Sequence, residues 1–240
     1  MLRFFRQIRQ KLMEQNKVRT YILYAIGEIL LVVIGILIAL QVNNWNELRK
    51  ERNLAMEFES RLVEDLDRLI QRTESLSQQS REILEAITEM QHFLERGTEL
   101  TASEKVVVDY AILWFPRTTY QMPNMLTYEE MKESGQINLI GDIKLRNELA
   151  EFYTFLHQVE SIYEKLSNNI EDQFIVYNRH IRATTDPKKL GIGFTYDFDA
   201  MTKDDEFINT FSRMSVHWRG FVHFMEAVNS DGINLKEKLN

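Results

Sequence analysis

Apolar positions are spread along this chain in two ways. From Tyr21 to Val42 they are nearly continuous, YILYAIGEILLVVIGILIALQV, and beyond Asn43 they recur every three or four residues. At roughly 1.5 Å per helical residue the continuous run reaches about 33 Å, enough to cross a hydrocarbon core of about 30 Å. It predicts a transmembrane helix over 21–42. Glu28 is its one charge, and Gly35 and Ala39 are the small residues within the apolar stretch Ile29 to Leu40. Tyr21 and Tyr24 at one end and Trp45 at the other are the rings expected at the two headgroup levels. A secretory signal peptide has a shorter apolar region and a small-residue cleavage site, whereas Ile38-Ala39-Leu40-Gln41-Val42 is mostly bulky, so the span is expected to stay uncleaved.

The periodic part predicts helices. Ala55, Phe58, Leu62, Leu66, Leu69, Thr73, Leu76, Ser80, Ile83, Ile87, Met90 and Leu94 form one stripe with steps of three or four. They predict a helix over about 45–96, on the order of 78 Å long, stopped by Gly97 in the left-handed conformation. Thr73 and Ser80 interrupt the seam, which favours packing on helices of the same chain over a free coiled coil. Thr101 and Glu104 have capping-box spacing and open a helix over 103–115, ended by Pro116. A short helix over 125–134 follows Pro123 and Asn124 and closes at Gly135. Gln136 to Ile140 reads as an extended connector, and Gly141-Asp142 as the next N-cap.

Leu145, Leu149, Phe152, Leu156, Val159, Tyr163, Leu166, Ile170, Phe174 and Tyr177 mark a helix over 143–178. Phe207, Phe211, Met214, Trp218, Phe221, Met225 and Val228 mark another over 204–229, ending near Ser230-Asp231-Gly232 before an amphipathic tail, Ile233 to Leu239. Between them, Arg179 to Lys203 loses the pattern. Thr184-Thr185-Asp186-Pro187 reads as a turn, and Phe194, Tyr196 and Phe198 alternate at period two as in a loop or short strand. These aromatics either cover the bundle end or line a pocket. The fold class expected is all-α: one N-terminal transmembrane helix continuing into an elongated antiparallel helical bundle over 43–240.

Composition agrees with this and adds polarity. The chain has three prolines and nine glycines, and neither residue occurs between Ile36 and Arg96, which suits long helices. The absence of cysteine removes disulfides and thiol chemistry. Residues 1–20 carry a net +5 against −7 for the whole chain, so the remainder carries −12. The positive end is expected to stay in the cytoplasm, placing the bundle in the periplasm of a Gram-negative cell with the span in its inner membrane. Met1, Phe4, Phe5, Ile8 and Leu12 recur at helical spacing opposite Arg3, Arg6 and Arg9. They make this segment either an interfacial helix on anionic lipid or a plain orienting stretch. An acidic bundle argues against nucleic acid as a partner.

Chemistry-bearing patterns are few. Glu28 shares a helical face with Val32, Gly35 and Ala39; the small pair allows close helix packing and a homo-oligomer through the span. Within such an oligomer Glu28 would carry protons or ions; at the membrane edge it would simply pair with a basic residue. Glu89 with His92 makes one ExxH where a di-iron bundle needs two, and His157 with Glu160 has the reversed spacing. His217 and His223 fall on different faces, and His180 flanks Arg179 and Arg182. No catalytic residue, metal ligand or cofactor is assigned on these patterns.

The opening MLRFFRQIRQKL with YAIGEILLVVIGILIALQVNNWNE, and later TYEEMKESGQINLIGDIKLRNELAEFY, resemble the two most regular regions of an uncharacterised family of single-span membrane proteins common in Bacteroidota. The resemblance implies an N-terminal anchor and a helical extramembrane part, and carries over no activity. The function expected is a membrane-anchored, non-catalytic scaffold or sensor that binds a protein partner or ligand through its bundle. The alternatives are a subunit of an ion-driven inner-membrane complex using Glu28 and, more remotely, a metal-dependent enzyme.

Overall fold

The structure, a computed structural model, describes residues 18–116, 122–185 and 192–239; the side chains of 18, 20, 21, 166–172, 185 and 192 fall outside that description. The basic segment 1–17 and Asp186-Pro187 therefore lie outside the described residues. In chain order the elements are α1 (Val18–Arg96), α2 (Ala102–Trp114), α3 (Leu126–Glu133), a 3-10 turn (Gln136–Leu139), α4 (Ile143–His180), β1 (Ile181–Thr185), β2 (Ile192–Tyr196), α5 (Phe198–Met201) and α6 (Asp205–Leu239). The fold is all-α: one long helix with an apolar N-terminal part, followed by further helices. The chain divides into two units, Met1–Glu57 and Phe58–Asn240. That edge lies beyond Asn43 because Phe58 is the first buried side chain after the apolar run.

In the second unit every stripe position of α1 from Phe58 to Leu94 is buried. Thr73 and Ser80 fit because their hydroxyls donate to the carbonyls of Leu69 and Leu76 on their own helix. Their burial leaves no unmet hydrogen bond. Gly97, at φ 67°, closes α1 and donates its N–H to Phe93 O at 3.2 Å. The capping box then starts α2: Glu104 N–H donates to Thr101 Oγ1 at 3.3 Å, and Thr101 N–H to Glu104 Oε2 at 2.8 Å. The Arg96 hydrogen bond first, and the Thr101 N–H next, lower the Glu104 carboxyl to about 2.

Hydrogen bonds and ring contacts give the helix directions. Asp67 meets Lys236, Ile70 and Thr73 meet Asn229, and Arg81 meets Glu226, so α6 runs antiparallel to α1. Glu148 meets Lys238, Phe155 meets Phe224 and Tyr163 meets Phe221, so α6 is antiparallel to α4 as well. It follows that α1 and α4 run the same way, with α2 and α3 between them in sequence. Phe115, just past α2, stacks on Tyr177 of α4 and Phe211 of α6 at 5.4 and 4.3 Å.

Three local expectations are corrected. Gln136–Leu139 is a 3-10 turn, not an extended connector: Gly135, at φ 72°, reverses the chain, and Ile140 N–H winds back to Ile137 O at 3.3 Å. Thr184 and Thr185 belong to β1, paired with Gly193 and Ile192 of β2 in an antiparallel hairpin, rather than to a turn. Helix α6 passes through Ser230-Asp231-Gly232 to Leu239. Gly232 serves close packing instead of a stop, since a Cβ there would stand 3.2 Å from Ile70 Cγ1 and 3.8 Å from Phe152 Cζ.

Candidate functional site

The apolar run of α1 turns its side chains outward on all sides. Leu31 is 71% exposed and Leu37 59%, and none of the most apolar window of this helix is buried by the protein. It is the one helix among the described residues long and apolar enough to cross a membrane. Glu28 and Tyr24 are half-buried, whereas Gly35, Ala39 and Trp45 are exposed. A Cβ added at Gly35 would meet nothing within 4 Å, so packing inside one chain does not call for glycine there. The side chain of Tyr21 lies outside the described residues.

In the bundle, carboxylates sit at helix starts. Asp65 of α1 is 2% exposed, and its Oδ2 accepts the N–H of Thr127 at 2.9 Å in the first turn of α3. Arg68 pairs with its other oxygen. The cap residue of α3 itself, Met125, makes no side-chain cap bond, so Asp65 supplies it. At α6, Asp204 Oδ1 accepts the N–H groups of Glu206 and Phe207 at 3.0 and 3.1 Å. Its Oδ2 meets His180 Nε2 at 2.7 Å and Arg179 Nη1 at 2.8 Å. The His180 hydrogen bond, then those of Arg179 and Phe207, hold this carboxyl far below the usual range against the opposing effect of burial.

Two tyrosines make comparable links. Tyr153 of α4 donates to Glu129 of α3 beside a cavity of about 30 Å³, room for a single water. Burial first, then Glu129, pushes its phenol up. Tyr196 of β2 donates to Asp109 Oδ1 of α2 at 2.7 Å, and burial ahead of that bond raises it too. Phe194, Tyr196 and Phe198 are half-buried, so the hairpin is held against the bundle by a phenol as well as by apolar contact.

The histidine patterns resolve separately. Glu89 and His92 are exposed, and His157 Nδ1 lies 3.5 Å from Glu160 Oε2 at the surface. His217 is lowered by burial, and His223 is exposed. No group of three or more histidine, aspartate or glutamate side chains among the described residues is arranged to hold a metal ion.

A polar cleft lies on the α1–α6 seam. It measures about 300 Å³ and is lined by Glu74, Ser77, Gln78 and Arg81 of α1 and by Glu226 and Asn229 of α6. Arg81 Nε donates to Glu226 Oε1 at 3.1 Å, and Asn229 Nδ2 donates to Ile70 O and Thr73 Oγ1 at 2.9 and 3.1 Å. Sequence reading passed over Asp65, Ser77 and Asn229. Their one signal is position: each sits beside an apolar stripe residue, Leu66, Leu76 or Val228, where the buried face widens.

These features define an all-α protein with one exposed apolar helix and a bundle whose helices are linked by side-chain hydrogen bonds. The chain belongs to the family of unknown function DUF6090, whose model matches residues 28–181. The match starts at Glu28, inside the apolar run, and ends at the first residue of β1, leaving α6 outside. No curated protein and no solved structure matches the chain.

Proposed function

We propose that the protein is a single-pass membrane protein whose apolar helix anchors a non-catalytic bundle, which acts as scaffold or sensor by binding a protein partner or small ligand. The observation that carries this reading is the exposure, all round α1, of the large side chains from Ile22 to Leu48. An apolar band of that extent is unfavourable in water, and a helix, with its backbone groups satisfied internally, suits lipid. The net charge of +5 on residues 1–20 favours a cytoplasmic N-terminus and, in a Gram-negative cell, an inner-membrane protein with a periplasmic bundle.

The non-catalytic half rests on how the bundle uses its carboxylates and phenols. Asp65 and Asp204 are committed to helix starts, and the tyrosines Tyr153 and Tyr196 to interhelix links. Groups spent on such contacts are poorly placed for proton transfer. Co-flotation of the full chain with liposomes, followed by alkaline carbonate washing, tests the anchor. Retention in the floating fraction is expected, and release by carbonate would sink it.

A further inference from the structure

We propose that the cleft between α1 and α6 is a binding site for a small organic cation bearing a primary ammonium group. The inference rests on the ligand-binding half of the proposed function and gives it a place and a chemistry.

A seam between packed helices is ordinarily apolar. Here it is polar for two turns, with Glu74, Ser77, Gln78 and Arg81 following one another at steps of three, one and three on a single face of α1. Ser77 is 5% exposed, and its hydroxyl has no hydrogen-bond partner. Its neighbours Thr73 and Ser80 each satisfy theirs on the helix backbone. A buried hydroxyl left unpaired beside a cleft is a group awaiting a partner.

The remaining groups select the partner. Both amide hydrogens of Asn229 are engaged by Ile70 O and Thr73 Oγ1, so the amide presents its oxygen as the open group. Arg81 and Glu226 neutralise one another. Glu74 makes no ion pair among the described residues, so the lining carries one uncompensated negative charge. Three acceptors are thus on offer, the Glu74 carboxylate, Ser77 Oγ and Asn229 Oδ1. An ammonium group has three donors and no acceptor. Anions meet the two carboxylates, and a purely apolar ligand leaves these acceptors unmet. The volume, about 300 Å³, stands at the small end of ligand sites, roughly 300–1,000 Å³.

Calorimetric titration of the full chain in detergent micelles with n-butylammonium chloride tests this, at constant ionic strength. Tetramethylammonium, a cation without N–H donors, and butyrate, an anion of similar size, serve as controls. Saturable heat with butylammonium alone is expected. Glu74→Gln weakens it at least about tenfold, the loss of one charge-assisted hydrogen bond. Ser77→Ala weakens it while leaving the melting temperature of the free protein unchanged or higher, which a purely structural serine would not do. Absence of saturable binding by a folded chain overturns the proposal. So does an equal response to tetramethylammonium, or an unaltered affinity in both variants. Flotation of the same preparation reports on the anchor separately, so a failed site and a failed membrane reading remain distinct.

Discussion

Asp65 caps a helix far along the chain: its Oδ2 accepts the N–H of Thr127, 62 residues on, at 2.9 Å. One carboxylate thereby ties α3 to α1 and meets an N–H that α3 has no residue of its own to satisfy. Asp65→Ala should therefore cost about 2 kcal/mol, at the upper end for a lost cap because the site is buried. Asp65→Asn, which keeps an acceptor, should cost less. Thermal melts followed by circular dichroism check the order. Amide exchange over 126–133 should speed up most in the alanine variant.

Asp204 links pH to stability. Its carboxyl is held down in the folded protein, chiefly by His180 and Arg179. A depressed carboxyl contributes stability that is fully present above its unfolded value, about 3.9, and lost as pH falls toward its folded value. The stability difference between wild type and Asp204→Asn should accordingly shrink as pH falls from about 5 through 4 and below. Denaturant titrations across that range measure it. A difference that grew on acidification would contradict the assignment.

At Gly232 two effects of opposite sign compete. Alanine in place of glycine gains helix propensity, about 1 kcal/mol, but its Cβ would press on Ile70 Cγ1 at 3.2 Å. Ile70 is only half-buried and has room to yield by a few tenths of an ångström. Gly232→Ala is therefore expected to stay within about 1 kcal/mol of wild type. Gly232→Leu, which must also displace Phe152, is expected to lose 1–3 kcal/mol or more, roughly the cost of overpacking. Equal melting temperatures for the two variants would show that α6 does not pack as closely on α1 and α4 as described.

The same glycine shows where sequence reading stops. The stripes of α1, α4 and α6 are legible because burial on one helical face repeats every three or four residues, and the side chains of Leu62, Leu149 and Phe211 are indeed core. Local stops are legible where one residue settles them, as Gly97 and the Thr101 box do. Gly232 in Ser230-Asp231-Gly232 carries the same local signal as Gly97 and means something else, because Ile70, far off in sequence, decides it. The cap from Asp65, the Tyr196 bond to Asp109 and the cleft at Ser77 are all pairings between distant segments. No period encodes them; only the packed arrangement brings them together.

The membrane reading makes the last prediction. Leu31 and Ile34 lie near the middle of the apolar run and are exposed, so replacing either disturbs no buried packing within the protein. Arginine at the centre of a spanning helix costs about 2.5–3.5 kcal/mol, and two such substitutions together should disfavour insertion strongly. The double variant Leu31→Arg, Ile34→Arg is expected to move from the membrane to the soluble or aggregated fraction of fractionated cells. Val216→Arg, on the exposed face of α6 at 66% exposure, is expected to leave that distribution unchanged. If the helix were instead covered by another protein in solution, the double variant would lose that protein without wild type ever having floated with lipid. Running both variants and wild type on one flotation gradient separates the two cases.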